Sequence, residues 1–159
     1  MGDITVVEGS RIPPDNAGFG IVASRFNKYI VDALVSGCTD VLRRHGVADQ
    51  RQTLVWVPGA WELPIAARAL AQRADIHAVI ALGAVIRGAT AHFDYVANGC
   101  AQGLSAVGAQ CGKPVIFGVL TVDTIEQAIE RAGTKDGNKG ADAALAAIEM
   151  VSLLPQLSA

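Results

Sequence analysis

Gly83-Ala84-Val85-Ile86-Arg87-Gly88-Ala89-Thr90-Ala91-His92-Phe93-Asp94-Tyr95-Val96 is the stretch that decides the fold. It closes an apolar run, Ala78 to Ile86, with no polar face, the pattern of a parallel strand buried on both sides. A glycine-flanked turn then carries Arg, Thr and His, and a helical pattern begins at Ala91. In α/β proteins a turn of this kind, between a strand and a helix, is where anion-binding and proton-transfer groups stand.

The alternation continues in both directions. Upstream, Gly18 to Ser24 reads as a strand, and Asn27 caps a helix. That helix turns Ile30, Ala33, Leu34, Gly37, Cys38, Val41 and Leu42 to one face, at i, i+3/i+4 spacing. Arg43, Arg44 and His45 suit its last turn, and Gly46 ends it. Thr53 to Val57 is a second strand, and Glu62 to Arg73 a second helix with Pro64 in its first turn. Downstream, Ala91 to Gln110 is a helix and Val115 to Val122 a fourth strand. Asp123 caps a short helix with Glu126 three residues on, Gly133 to Gly140 is a polar break, and Ala141 to Leu154 is a last helix ended by Pro155. Such alternation predicts a three-layer α/β/α sandwich around a four-stranded parallel sheet, with a flavodoxin-like order. The domain spans residues 16–159. Residues 1–15 form an arm, in which Ile4-Thr5-Val6-Val7 is β-prone and suited to adding a strand to a sheet edge, its own or a neighbour's.

Composition narrows the function. Hydrophobic residues make up 51% of 159 and charged residues 18%, so the chain has either a large core or surface buried between subunits. A net charge of −2 gives no nucleic-acid footprint. No apolar run is long enough to span a bilayer, and neither a secretory signal nor a myristoylation signal is expected at the N-terminus. Cys38, Cys100 and Cys111 include no C-x-x-C pair, so they read as small apolar thiols rather than a metal site or disulfide framework; a reducing cytoplasm fits. Gly18-Phe19-Gly20-Ile21-Val22-Ala23 matches G-x-G-x-x-A but lies at the start of its strand instead of after it, so dinucleotide binding is not implied. A P-loop, a G-x-S-x-G elbow and the acidic cluster of a receiver domain are absent.

Ligands of an open parallel sheet bind outside the carboxyl ends of its strands. Those ends carry Arg25-Phe26-Asn27, Pro58-Gly59-Ala60-Trp61-Glu62, Arg87 to His92, and Thr121 with Asp123. Phe26 is either an aromatic platform or a core ring. Glu62 either accepts hydrogen bonds from hydroxyls or serves the helix dipole. Gly88, Ala89 and Thr90 present backbone N–H groups at a helix start, an anion site, and this company makes His92 a proton-transfer group rather than a structural histidine. His45 and His77 lack such neighbours and read as surface residues. Arg131, in the cationic segment that runs on to Lys139, could complete an anion site with a bidentate contact.

Ser24 to Asn27, Val57 to Pro64, Gly83 to Val96 and Arg131 to Lys135 together resemble lumazine synthases, with the likeness running from about Gly18 to Leu154. The resemblance implies condensation of 5-amino-6-(D-ribitylamino)uracil with 3,4-dihydroxy-2-butanone 4-phosphate to give 6,7-dimethyl-8-ribityllumazine, phosphate and water, the penultimate step of riboflavin biosynthesis, with no cofactor and no metal. It implies that Phe26 stacks on the pyrimidine, and that Asn27, the backbone at Ala60 and Trp61, and Glu62 hold the ribityl chain. The backbone at Ala84, Val85 and Ile86 then binds the heterocycle, Gly88, Ala89, Thr90 and Arg131 hold phosphate with Lys135 nearby, and His92 moves protons. It implies a homo-oligomer, a pentamer or an assembly of pentamers, with each site between subunits, Phe117 and Arg131 coming from the neighbour, and riboflavin synthase as a candidate partner. Trp61 stands where the family often has Phe, a change expected to alter packing alone. Two other classes compete: a lumazine- or flavin-binding scaffold without activity, which Thr90, His92 and Arg131 argue against, and a flavodoxin-like signalling module, which lacks its acidic site.

Overall fold

The β3 strand, Ala78–Ile86, is the spine of the sheet. In the computed structural model, which describes residues 2–158, it is buried from Ala78 to Val85. It pairs in parallel with β1 (Phe19–Ser24) on one side and β4 (Val115–Val122) on the other; β2 (Gln52–Val57) pairs with β1, giving the order β2-β1-β3-β4. Ile80 lies opposite Ile21 and Ile116, so apolar side chains stack across the central strands. Because strand side chains alternate faces, Phe19, Ile21, Ile80 and Leu82 point to one layer, while Val22, Val79, Ala81 and Val85 point to the other.

Helices cover both faces. On the first lie α1 (Lys28–Arg44) and α5 (Lys139–Leu157), contributing Leu34, Leu42, Ala144 and Ile148. On the second lie α2 (Leu63–Ala71) and α3 (His92–Cys111), contributing Leu63, Leu70, Cys100 and Leu104. The backbones of α1 and α5 approach so closely that a Cβ on Gly140 would collide with the Leu34 carbonyl. The short helix α4 (Ile125–Glu130) leads into a hairpin of β5 (Ala132–Thr134) and β6 (Gly137–Asn138). The three-layer architecture and the extents of β3 and β4 match the sequence reading.

Several local expectations are corrected. Asn27 stands ahead of α1 but does not cap it with its side chain; its φ of 61° puts it in the left-handed region, which Asn tolerates, and its amide turns to the sheet instead. On α1 it is Val31, not Ala33, Gly37 or Val41, that joins Ile30, Leu34, Cys38 and Leu42 in full burial. Residues Ala60–Glu62 form a separate 3-10 turn, so α2 starts at Leu63. The capping box of α4 is Thr124 with Gln127, one residue beyond Asp123 and Glu126. The polar break at Gly133 to Gly140 contains the hairpin, with Gly133 and Gly137 at positive φ. Helix α5 passes through Pro155: proline's φ is helical, so only one hydrogen bond is forfeited, and Gln156 ties the last turn by donating to Ser152 O and Glu8 O, each at 3.0 Å.

His45 and His77 are half-buried and structural. The His45 ring lies 2.8 Å from Val41 O. His77 Nδ1 accepts from the Gly18 N–H at 3.0 Å, while the His77 N–H donates to Gly18 O at 2.7 Å. Cys38 and Cys100 are buried in helix faces, and desolvation pushes their thiols up to about 12 and about 11, so they stay neutral and unreactive; Cys111 is half-buried. Within the chain, Ile4 to Val7 forms no strand. The N-terminal stretch is held instead at Ser10, whose N–H donates to Ser152 Oγ at 2.6 Å, and Ile4, Val6 and Ile12 stay exposed.

Candidate active site

Beyond Ser24, β1 and β2 continue their ladder for two residues: the Arg25 N–H donates to Val57 O and the Phe26 N–H to Pro58 O, at 2.8 and 3.1 Å. Asn27 then reverses the chain, and its Nδ2 donates to Ala84 O at 2.9 Å, fastening the end of β1 to β3. This backbone holds the Phe26 ring out of the core, 73% exposed, so the core reading of this ring fails. Opposite it, the 3-10 turn Ala60–Glu62 presents Trp61 and Glu62. Trp61 lies against α3, where a Cβ on Gly99 would collide with its ring. Glu62 is half-buried.

These segments enclose a cleft of about 750 Å³ at the carboxyl ends of β1, β2 and β3. One wall is Phe26 and Asn27, a second is Ala60, Trp61 and Glu62, and Ala84, Val85 and Ile86 form the floor. Gly88, Thr90 and His92 line the remaining side. His92 begins α3 and is exposed to the cleft. Most of the proposed site residues are thus brought together. Pro58, Gly59, Phe93, Tyr95 and Val96 line the cleft as well. The last three carry a sequence signal, since Phe93, Tyr95 and Val96 lie within one turn of His92 at the start of the same helix.

Phe117 and Arg131 lie elsewhere. With Thr121, Asp136, Lys139 and Asp142 they line a second concavity of about 380 Å³ along β4 and the β5–β6 hairpin. It shares no lining residue with the cleft. Arg131 closes α4, and its Nη1 donates to Gln127 O at 3.0 Å, with Glu130 and Asp136 carboxylates at 3.6 and 3.7 Å. The hairpin is fastened to α4 by the Asp136 N–H to Glu130 O and Thr134 Oγ1 to Ile129 O, both at 2.7 Å. Ala89 and Lys135 are exposed and line neither concavity.

Arg87, which had no assigned part, joins the ends of the strands flooring the two concavities. Its Nε donates to Asp123 Oδ1 at 2.9 Å, its Nη1 reaches Asp94 Oδ1 at 3.4 Å, and its guanidinium carbon is 4.4 Å from the Phe93 ring centre. The hydrogen bond to Asp123 holds the guanidinium pKa above its ordinary value. Chemically, the cleft offers an apolar slot for a flat ring, a carboxylate for hydroxyls, free backbone at a helix start for an anion, and one imidazole.

A family model described as 6,7-dimethyl-8-ribityllumazine synthase matches residues 16–155. A protein of Sodalis glossinidius (strain morsitans) with that name is 55% identical over 157 residues, 98% of this chain and 100% of the relative. Another of that name, from Aquifex aeolicus (strain VF5), is 55% identical over 152 residues, 96% of this chain and 98% of the relative. Among the described residues no helix is long and apolar enough to cross a membrane.

Proposed function

The chain belongs to the 6,7-dimethyl-8-ribityllumazine synthase family and catalyses that step of riboflavin biosynthesis, and we propose that the reaction runs in the cleft beside His92. The transferase condenses 5-amino-6-(D-ribitylamino)uracil with 3,4-dihydroxy-2-butanone 4-phosphate. Phe26 stacks on the pyrimidine, whose polar edge meets the backbone of Ala84 to Ile86. The ribityl hydroxyls reach Glu62, the backbone at Ala60 and Trp61, and Asn27 Oδ1, which remains an acceptor because Nδ2 is engaged by Ala84 O. Phosphate sits on the turn of Gly88, Ala89 and Thr90 at the start of α3.

The chemistry needs proton movement more than a strong nucleophile. The 5-amino group attacks the ketone and water leaves, forming a Schiff base. Loss of a proton and of phosphate gives an enol, which ketonises. The ribitylamino nitrogen then closes the ring with loss of a second water. His92 carries protons between these steps while the cleft holds both partners in reacting geometry.

The observation that carries this reading is the convergence of Phe26, Glu62, Thr90 and His92 on one cleft. The phosphate dianion also needs fixed positive charge, which the cleft lacks. Arg131 supplies it from a neighbouring subunit, which also brings Phe117, with Lys135 near the same locus. The exposed Tyr29, Trp61, Ile65 and Tyr95 support such an assembly, as apolar surface of this kind is normally covered. In a homopentamer, each neighbour would bring its β4–α4 segment to the next cleft and its Ile4 to Val7 segment to the next sheet. The cytoplasm is the setting this reading favours, and riboflavin synthase, which consumes the product, is a candidate partner. Mixing both substrates with the protein and following lumazine absorbance tests the activity. Acceleration over the uncatalysed condensation is expected; tight product binding without turnover would leave a lumazine-binding scaffold.

A further inference from the structure

We propose that Arg87 is a positioning residue for His92, holding the first turn of α3 to the end of β4 through Phe93, Asp94 and Asp123. The inference rests on the assignment of proton transfer to His92.

Helix α3 begins without a side-chain cap: Ala91 stands at the N-cap position with helical backbone angles and no side-chain acceptor to offer. The turn leading to it passes through Gly88, around which space is open. A helix start of this kind frays unless something else holds it. His92 is the first residue of that helix, so any fraying moves the imidazole directly.

Arg87 supplies the missing anchor from outside the helix. Its own backbone is fixed, since the Arg87 N–H donates to Val122 O at 2.9 Å and extends the β3–β4 ladder. Its side chain is aimed by Asp123 at 2.9 Å, and the guanidinium lies 4.4 Å from the centre of the Phe93 ring and 3.4 Å from Asp94. Phe93 and Asp94 are the two residues immediately after His92. One planar cation thus grips the helix start on an aromatic face and a carboxylate, while a second carboxylate holds it to β4. Lysine has neither the plane nor the fork to do this.

A direct role in binding phosphate fits the geometry less well. The guanidinium is already matched by two carboxylates, so the Arg87, Asp94 and Asp123 group carries net negative charge and would not attract a dianion. Arg87 is also absent from the cleft lining.

The test is a double-mutant cycle on the assembled enzyme, comparing wild type, Arg87→Gln, His92→Ala and the double variant, with Asp123→Asn as an independent way to loosen the same grip. Arg87→Gln is expected to lower kcat by about threefold to tenfold, the scale of a sub-ångström misplacement, with KM for both substrates unchanged. In the His92→Ala background it should have no further effect, because the group being positioned is gone. Asp123→Asn should follow Arg87→Gln in direction. Hydrogen exchange over residues 88–97 should speed up in Arg87→Gln and in Asp123→Asn whether or not the protein turns over. An unchanged kcat in Arg87→Gln, or exchange that stays protected in both Arg87→Gln and Asp123→Asn, would overturn the proposal. A raised KM for the phosphate substrate, or an undiminished loss in the His92→Ala background, would overturn it in favour of direct substrate binding. An inactive wild type would instead strike the functional reading, and the exchange result would still decide whether Arg87 holds the helix start.

Discussion

The cleft beside His92 opens at the ends of β1, β2 and β3 and the concavity beside Arg131 runs along the neighbouring β4, and they are made of different materials. The first is about 750 Å³, with aromatic and aliphatic walls and a single imidazole. The second is about 380 Å³ and lined by Arg131, Lys139, Asp136 and Asp142. The first can hold a flat heterocycle but has no cation to face a phosphate. The second has cations, but they are balanced by acids and no aromatic platform comparable to Phe26 and Trp61 stands with them. A reaction that joins a heterocycle to a sugar-derived phosphate needs both kinds of surface. One chain carries both, on faces that share no residue, which is the arrangement expected where successive copies of a subunit complete one another's sites head to tail.

Arg131 offers the sharpest way to break this comparison. Arg131→Ala should lower kcat/KM by about a hundredfold to a thousandfold, the usual loss when a fixed charge facing a departing anion is removed. The lumazine absorbance assay measures it. Co-expressing Arg131→Ala with His92→Ala subunits then asks where the halves meet. If each site takes His92 from one subunit and Arg131 from the next, random mixing leaves about a quarter of the sites intact, and activity should return to that level. No recovery would place both residues in one subunit's site and end the two-half reading.

His92→Ala acts on the other half and should cost less, roughly tenfold to a hundredfold in kcat, because positioning and the phosphate contacts remain. Its effect should fall on kcat and leave KM for the phosphate substrate near its original value. A rate equal to wild type would remove the imidazole from the chemistry and make the cleft a binding surface only. Phe26→Ala should be milder still. An aromatic stack contributes about 0.5–1.5 kcal/mol beyond buried area, so KM for the pyrimidine should rise by about tenfold or less while that for the phosphate substrate is unchanged. Equal effects on both would mean that Phe26 shapes the cleft instead of touching one substrate.

How much of this was legible in the sequence depended on whether the deciding contact was local. Strands β3 and β4 were bounded residue for residue, because their apolar runs end where the chain must leave the core. The cleft was legible because strand ends converge by topology, so the residues just past each strand become its walls. What escaped depends on contacts between distant residues. Asp123 and Thr124 are both good capping residues with an acid or amide three positions on, and local pattern does not choose between them. Arg87 engages the Asp123 carboxylate from 36 positions away, which leaves Thr124 to cap. Asn27 likewise looks like a cap until its amide is seen to serve the Ala84 carbonyl. His77 resembled a surface residue because its partner, the Gly18 N–H, is 59 positions distant.

The cap of α4 supplies the mildest perturbation, and it bears on the charged half alone. Thr124 Oγ1 accepts from the Gln127 N–H at 3.1 Å, and Gln127 Oε1 accepts from the Asp123 and Thr124 N–H groups at 2.7 and 3.3 Å. This box starts a helix of six residues that ends at Glu130, with Arg131 as its C-cap. So short a helix has little stability of its own, and loss of the cap should cost about 1 kcal/mol. Thr124→Ala should therefore lower the melting temperature slightly and let the β5–β6 hairpin shift. The effect on kcat/KM should be about fivefold or less, appearing as weaker binding of the phosphate substrate with the pyrimidine KM unchanged. A change in pyrimidine binding of the same size would show that the two surfaces are coupled through Asp123 and Arg87, and that a disturbance of the charged half reaches the first turn of α3.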